Sequence, residues 1–356
     1  MPSNLRHVTV KLKYEQKDIT QDLVPYLKDF SFNDVMSGEA DDISITLHDI
    51  EELWMSDWFP EKGAKLTASI VFYNWNELGD EIEMKCGQFE IDEITCKNPP
   101  HEVTIGAVSV PDESKLRGEL KSRSWEKTTL KAVAEELAKG ADLELFYDTP
   151  ETIDLDRVEQ SDQSDLEFLM KVCKDNGLAL KVSDKQVIIF DETKYEMEKV
   201  VATLIKGDMP TDLTEEQIKD LGEIIPYQGS YSLKTSLKDV YWGCHVKHKS
   251  TKQKSNIEYT FKDPHKTQGK ILQVNQGCET QAEAERLAKK KLREKNKDEV
   301  TGSVSILGHI VLTASATINL KGFGKFDGKY IISKCSHKVG GGYTQSLDIR
   351  RCLDGY

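Results

Sequence analysis

Cys244, His245 and His248 are the residues whose types and spacing come nearest to a metal centre. On a strand, positions 245 and 248 point to opposite faces. A zinc site also needs two further well-placed ligands, and no obvious pair is present. The stretch Gly322-Phe323-Gly324-Lys325-Phe326-Asp327-Gly328 has the glycines and the lysine of a phosphate loop. It precedes a strand instead of opening a helix, so a hairpin turn is expected. Asp41-Asp42 is one of many acidic pairs; only separation in space makes a glycosidase dyad, and a solvated loop is expected there. Lys289-Lys290-Lys291 has the charge to touch phosphate, but a charged outer face opposite an apolar helix stripe explains it more simply. Trp54, Trp58 and Phe59 stand just before Pro60 and Gly63. They suit a contact surface, because large aromatics anchor interfaces, and equally a cover over an open barrel end. The motifs G-x-S-x-G, H-E-x-x-H and G-x-x-x-x-G-K-[ST] do not occur. No catalytic residue, cofactor-binding residue or metal ligand is assigned, and an enzyme is not the expected class.

The first 110 residues alternate apolar and polar side chains: Val8, Val10, Leu12; Ile43, Ile45, Leu47; Leu66, Ala68, Ile70, Phe72; Val103, Ile105, Ala107. A period of two puts every second side chain on one sheet face. Turn material separates these runs at Ser37-Gly38, Pro60 to Gly63 and Asn98-Pro99-Pro100. The succession argues for an antiparallel barrel or sandwich. The period then changes. Leu130, Val133, Ala134 and Leu137 recur at helical spacing, with Thr128 or Thr129 as N-cap and Gly140 near the end. A second helix opens on Ser164 and Glu167 in capping-box spacing and closes at Gly177. LALKV and QVIIF follow as short strands joined at Ser183-Asp184-Lys185. Residues 206–230 carry Pro210, an acidic stretch and Pro226 and read as a linker with one short helix. Strand patterning then resumes, interrupted by a helix at about 280–297. Thr280 and Glu283 cap that helix, and Ala284, Leu287, Ala288 and Leu292 form its narrow apolar stripe.

With 356 residues the chain can hold two or three cores. No run approaches the roughly 18 apolar residues of a membrane span, and the N-terminus lacks a signal-peptide pattern. The seven cysteines are scattered and never form C-x-x-C, which fits a cytoplasmic place of synthesis rather than a disulfide framework. The net charge of −13 hides a division: residues 1–225 hold 25 basic and 49 acidic residues, and residues 226–356 hold 23 and 12. A basic C-terminal part fits nucleic-acid binding. It fits equally the facing acidic and basic surfaces of neighbouring subunits, or two differently solvated surfaces with no special partner.

An internal repeat is also visible. Leu66-Thr67-Ala68-Ser69 recurs as Leu312-Thr313-Ala314-Ser315. Each copy is followed by a loop and a Gly-x-aromatic-x-Ile strand, Gly87 to Ile91 and Gly328 to Ile332. A turn and a closing strand come next in both places. Two similar units per chain would let three copies present six similar units in a closed ring.

SGEADDISITLHD (37–49), WFPEKGAKLTASI (58–70) and CGQFEIDEI (86–94) resemble the N-terminal part of the phage late control gene D protein family. KSRSWEKTTLKAVAEELA (121–138) and DRVEQSDQSDLEFLMKVCKDNGLALKV (156–182) resemble its central domain. FDGKYIISKCSHKVGGGYTQSLDIRR (326–351) is similar to the last hairpin of tail hub proteins and of the type VI secretion spike-hub protein. The resemblance covers most of the chain and is weakest over 192–240. It implies an α+β, mainly β fold with two tail-tube-like antiparallel β-barrel domains, 1–110 and 231–356. A mixed α/β domain at 111–205 and the linker at 206–230 lie between them. The implied role is a structural baseplate hub of a contractile phage tail, tailocin or related injection system. Its implied partners are itself as a homotrimer, the tail tube protein, the central spike protein and other baseplate proteins. DNA or a tape-measure protein would pass through the ring, whose mostly acidic lumen would not hold phosphate. The chain would reside in the cytoplasm during assembly and in the virion or particle afterwards. The lytic or peptidoglycan-binding domains of some relatives are expected to be missing after Tyr356. The competing expectations are a tail-associated peptidoglycan hydrolase and a nucleic-acid-binding module.

Overall fold

The computed structural model describes residues 5–109, 115–149, 152–208, 214–249, 256–278 and 280–356. The alternating N-terminal segments are strands: β1 (His7–Tyr14), β2 (Lys17–Asp18), then a short α1 (Thr20–Leu23), β3 (Leu27–Val35), β4 (Asp42–His48), β5 (Lys65–Tyr73), β6 (Glu81–Lys97) and β7 (Glu102–Val108). Their hydrogen-bonded order is β2-β1-β5-β6-β7-β4-β3, antiparallel throughout. The apolar member of each alternating pair turns inward, so Leu12, Ile45, Ile70 and Ile105 share one core with Phe30 and Phe89.

The change of period yields the mixed region: β8 (Lys121–Thr129), α2 (Leu130–Gly140), β9 (Glu144–Asp148), β10 (Asp154–Gln163), α3 (Asp165–Asp175), β11 (Ala179–Ser183), β12 (Gln186–Phe190) and α4 (Glu192–Met197). Thr129 caps α2 by accepting from the Ala132 N–H, and Ser164 with Glu167 completes a reciprocal capping box on α3. The β11–β12 hairpin turns on Asp184 and Lys185, both at positive φ (45° and 63°); two such residues in succession suit the twist of a two-residue hairpin. β9 pairs parallel to β12, and β8 pairs with β10 in a separate ribbon. Leu130, Val133 and Leu137 of α2 meet Phe168 and Leu169 of α3 in a second core.

The chain continues as β13 (Ala202–Ile205), α5 (Glu215–Asp220), β14 (Glu223–Pro226), β15 (Tyr231–Thr235), β16 (Gly243–Lys249), β17 (Asn256–Lys262), β18 (Ile271–Val274), α6 (Gln281–Asn296), β19 (Val300–Leu307), β20 (Thr317–Lys321), β21 (Gly328–Val339) and β22 (Tyr343–Arg351). The stretch read as a linker is therefore partly sheet, because Glu223 to Pro226 pair parallel to β13, which itself pairs with β20. The helix expected within the last barrel belongs instead to a small unit of its own. There α6 lies on the sheet β17-β16-β18, with Cys244, Val246, Ala284, Ala288 and Leu292 as its core.

β13, β20, β21, β22, β19 and β15 hydrogen-bond in that order. This is the spatial order of β1, β5, β6, β7, β4 and β3, strand for strand along the chain. The match extends to detail. The β6–β7 and β21–β22 ladders each shift register at one extra residue, Asp92 in one and Ser333 in the other. Ile91 bonds Ala64 as Ile332 bonds Ala316, with N···O 3.0 and 2.9 Å. The residues before these alanines, Gly63 and Ser315, have φ of 79° and 69°. One pair differs, since β13 is parallel to β20 whereas β1 is antiparallel to β5. The register also corrects the repeat read from identity. Ala68 faces Gly87 and Leu320 faces Gly328, so Leu66 to Ser69 correspond to Ile318 to Lys321. Leu312 to Ser315 fall in the turn before β20.

The two sheet curves are hydrogen-bonded to each other. The first residues of β21 pair with β20, and Lys334 to Val339 pair with β3. One sheet of 14 strands thus runs through both curves, and among the described residues its path is open, with no pairing that closes either curve into a barrel. Replacing Ser164 by Ala removes one half of the α3 capping box and is expected to cost about 1 kcal/mol, read as a lower urea midpoint at unchanged slope.

Candidate functional site

The seam where β3 meets β21 brings together side chains from all parts of the chain. His337 is fully buried and stacks on Phe32 across the ladder, with ring centroids 5.5 Å apart. Its Nδ1 lies 2.8 Å from the Tyr343 hydroxyl. Val339 and Tyr343, though they belong to the second curve, sit in the core of the first. Burial pushes the His337 imidazole down to about 4, so the ring is neutral at physiological pH.

Asp34 of β3 ties the seam to its surroundings. One carboxylate oxygen accepts from Lys181 of β11 at 2.6 Å and the other from the Ala314 N–H at 2.9 Å. Lys181 also lies 3.1 Å from Asp41, which accepts from the Val35 N–H at 2.9 Å. Burial works against the Lys181 ammonium, but Asp34 and Asp41 outweigh it and hold its pKa above the ordinary lysine value. Burial raises the Asp41 carboxyl, and its share of Lys181 does not cancel that. One ammonium thus serves two carboxylates.

A second ion cluster gathers around Arg350 of β22. Glu196 of α4 accepts from Arg293 of α6, from Arg350 of β22 and, at 2.9 Å, from the Leu353 N–H. Glu192, one helical turn earlier, meets Arg350 at 3.0 Å and Lys297 at 3.2 Å. Burial would raise the Glu192 carboxyl, but Arg350, Lys297 and Arg293 outweigh it and hold it below the ordinary value. The adjoining cleft of about 450 Å³ is lined by Ser37, Glu192, Lys234, Lys297, Asp348 and Arg350 among others. Two carboxylates converge here, yet Glu192 is kept ionised. A general acid needs the opposite shift, a carboxyl that holds its proton at working pH. The arrangement joins α4 to α6 and β22.

The residues singled out in the sequence are dispersed. Cys244 is buried in the small α6 unit, and His245 lies on the opposite strand face, 2.8 Å from the Thr260 hydroxyl. Among the described residues no group of three or more His, Cys, Asp or Glu side chains is placed to hold a metal ion. The 322–328 glycine stretch is the β20–β21 turn, and its anion site is filled from within. Asp327 accepts from the Gly322 and Phe323 N–H groups at 3.2 and 2.6 Å. The solvated loop expected at Asp41-Asp42 is corrected, since Asp41 is 1% exposed and Asp42, in β4, accepts from Asn33 at 2.8 Å. The lysine run is no free outer face either. Lys290 donates to the Asn176 carbonyl at 2.7 Å just beyond α3, and Lys291 meets Glu294 and Asp175. Trp54 is buried, whereas Trp58, edge-on to it with centroids 5.5 Å apart, and Phe59 remain half exposed. Sequence reading missed Glu192, Glu196 and Arg350. The available signals were two glutamates at i, i+4 and an arginine next to the buried Ile349.

Residues 112–341 match the protein family described as the Alg8 N-terminal domain. The probable baseplate hub protein of Escherichia phage P2 is 32% identical over 171 residues, 47% of this chain and 41% of the P2 protein's length. The probable baseplate hub protein of Escherichia phage 186 is 25% identical along 95% of this chain and 91% of its own. Among solved structures, the 43 kDa tail protein of prophage MuSo2 from Shewanella oneidensis superposes with a TM-score of 0.68 at 12% identity, covering 98% of this chain and 100% of that one. That likeness shows a shared fold.

Two outcomes test the seam and the second ion cluster. In the folded state His337 binds its proton only near pH 4, and in the unfolded state near 6.5. The unfolded chain therefore takes up more protons between those values, and stability falls as pH drops through that window. A His337→Phe variant is expected to lack the part of this loss that lies between pH 6.5 and 5, measured by thermal melts across pH. Arg350→Met leaves Glu192 and Glu196 short of a buried cation and is expected to cost about 3–5 kcal/mol, measured by urea denaturation.

Proposed function

The chain belongs to the Alg8 N-terminal domain family and to the baseplate hub proteins of the phage late control gene D group, and we propose that three copies of it close into the ring that joins a tail tube to a central spike. Each sheet curve is read as a barrel of tail-tube type. The first comprises residues 1–110, and the second comprises β13, β15 and β19 to β22. The mixed unit from β8 to α4 and the α6 unit are read as lying outside them. The observation that carries the reading is the repeated strand order with its repeated register shift at Asp92 and Ser333. Three chains then supply six alike curves, which suits a six-fold tube on one face and a three-fold spike on the other. Rings arise when a head-to-tail contact closes on itself.

The work of such a hub is mechanical: to hold the tube, the spike and neighbouring baseplate proteins while DNA or a tape-measure protein passes through. Neither competing expectation gains an observation. The converging carboxylates expected of a peptidoglycan hydrolase are bound to Arg293 and Arg350. Much of the cationic charge expected to hold nucleic acid is engaged by acids. Lys266 meets Asp263 and Glu299, Lys289 meets Glu285, and Lys297 meets Glu192. Among the described residues no helix is long and apolar enough to cross a membrane, and the proposed residence is the assembled particle.

Native mass measurement of the chain, alone and with its spike protein, is expected to give three copies, and images of that species a ring with six lobes. A mass of one or two copies under both conditions would sink the reading.

A further inference from the structure

We propose that the ring is sewn together by main-chain pairing between β15 of one copy and the far end of β6 in the next, repeating between chains the β3–β21 ladder found within one. The inference rests on the ring reading and supplies its contact. Within the chain, the second curve offers Lys334 to Val339 of β21 beyond the end of β20, and β3 of the first curve occupies that edge. The first curve has the same feature, but unoccupied. β5 pairs with β6 only as far as Glu90, and among the described residues no strand pairs with the same side of β6 from Asp92 to Lys97. The matching register shifts set Glu93 against Lys334 and Cys96 against His337. His337 is fully buried by β3, whereas Cys96 is exposed.

The complementary edge lies on β15, which occupies in the second curve the place of β3 in the first. Its ladder with β19 uses the Ser230–Ser305 and Ser236–Glu299 bonds, 2.8 and 2.9 Å. Alternation in an antiparallel pair then turns the main-chain groups of Tyr231, Leu233 and Thr235 outward. No strand pairs with that side among the described residues. Phe30 of β3 is fully buried, but its counterpart Tyr231 is 44% exposed. Transferring the β3–β21 register places Leu233 opposite Cys96, Lys234 opposite Thr95 and Ser236 opposite Glu93. Glu93 then stands diagonally between Lys234 and Lys238, within reach of cross-strand pairing. The charge division agrees in sign, since β6 lies in the acidic part of the chain and β15 in the basic part. Because the two edges lie on different curves, the contact is head-to-tail, the type that does not stop at a dimer and forms a ring when its rotation closes.

A directly opposed pair has Cα atoms about 5.5 Å apart when hydrogen-bonded, within the range a disulfide spans. Leu233→Cys should therefore pair with native Cys96 of the next copy. Mild oxidation is expected to give a covalent species of three chains that reverts on reduction, and that species should disappear when Cys96→Ser is added. Thr235→Pro removes an outward N–H that β19 does not use. It is expected to lower the three-copy fraction at least tenfold at fixed concentration with an unchanged thermal melt. Three-copy rings that form without cross-linking in Leu233→Cys, or that persist undiminished in Thr235→Pro, would overturn this inference and leave the ring itself standing. Absence of any three-copy species from the unaltered chain, alone and with its spike protein, would remove both.

Discussion

The large sheet is organised by one strand serving two curves. β21 begins as the neighbour of β20 and ends as the neighbour of β3, so the two curves are bound by main-chain hydrogen bonds and not by side-chain contact alone. A backbone ladder permits little sliding, because a slip of one residue would reverse which side chains face the core. Phe32 against His337, and Val339 within the first core, hold the register from the core face. Asp34, Asp41 and Lys181 then pair with one another around a joint that is already positioned.

Those partners explain the uneven charge along the chain. Acidic residues of the central region, Glu192 and Glu196, meet cations from the C-terminal region, Arg293, Lys297 and Arg350. Lys181 from the central region conversely meets Asp34 and Asp41 of the first curve. Replacing such buried groups by apolar ones is often neutral or better for stability, but removing one member leaves an uncompensated charge. The clusters therefore act more as locks on the relative placement of units than as sources of stability.

The elements that were plain in the sequence are those whose burial has a local period. Val10 and Leu12, or Ile43, Ile45 and Leu47, announce a strand face without knowledge of their neighbours. Ser164 with Glu167 announces a helix start by chemistry within four residues. β13 and β14 were not plain, because four-residue strands held by parallel partners, β20 being more than 100 positions from β13, show no period of their own. The repeat was visible as an order of elements, yet four identical letters at 312–315 pointed six residues away from the true register. Register is decided by pairing with β21 and not by likeness of residues. Asp41, Glu192 and Arg350 look like ordinary surface charges, since the groups that neutralise them lie more than 100 positions distant. Nothing in a linear pattern specifies such a partner.

The small α6 unit enters and leaves the large sheet at neighbouring points. Ser236 and Glu299, which bracket it, are hydrogen-bonded to each other at 2.9 Å, so the β15–β19 ladder is already sealed at the neck below it. An excursion closed at its base is a cassette: evolution can lengthen, shrink or exchange what hangs there without disturbing the strands beneath. Change in this outgrowth can thus proceed while the sheet beneath it is inherited unaltered.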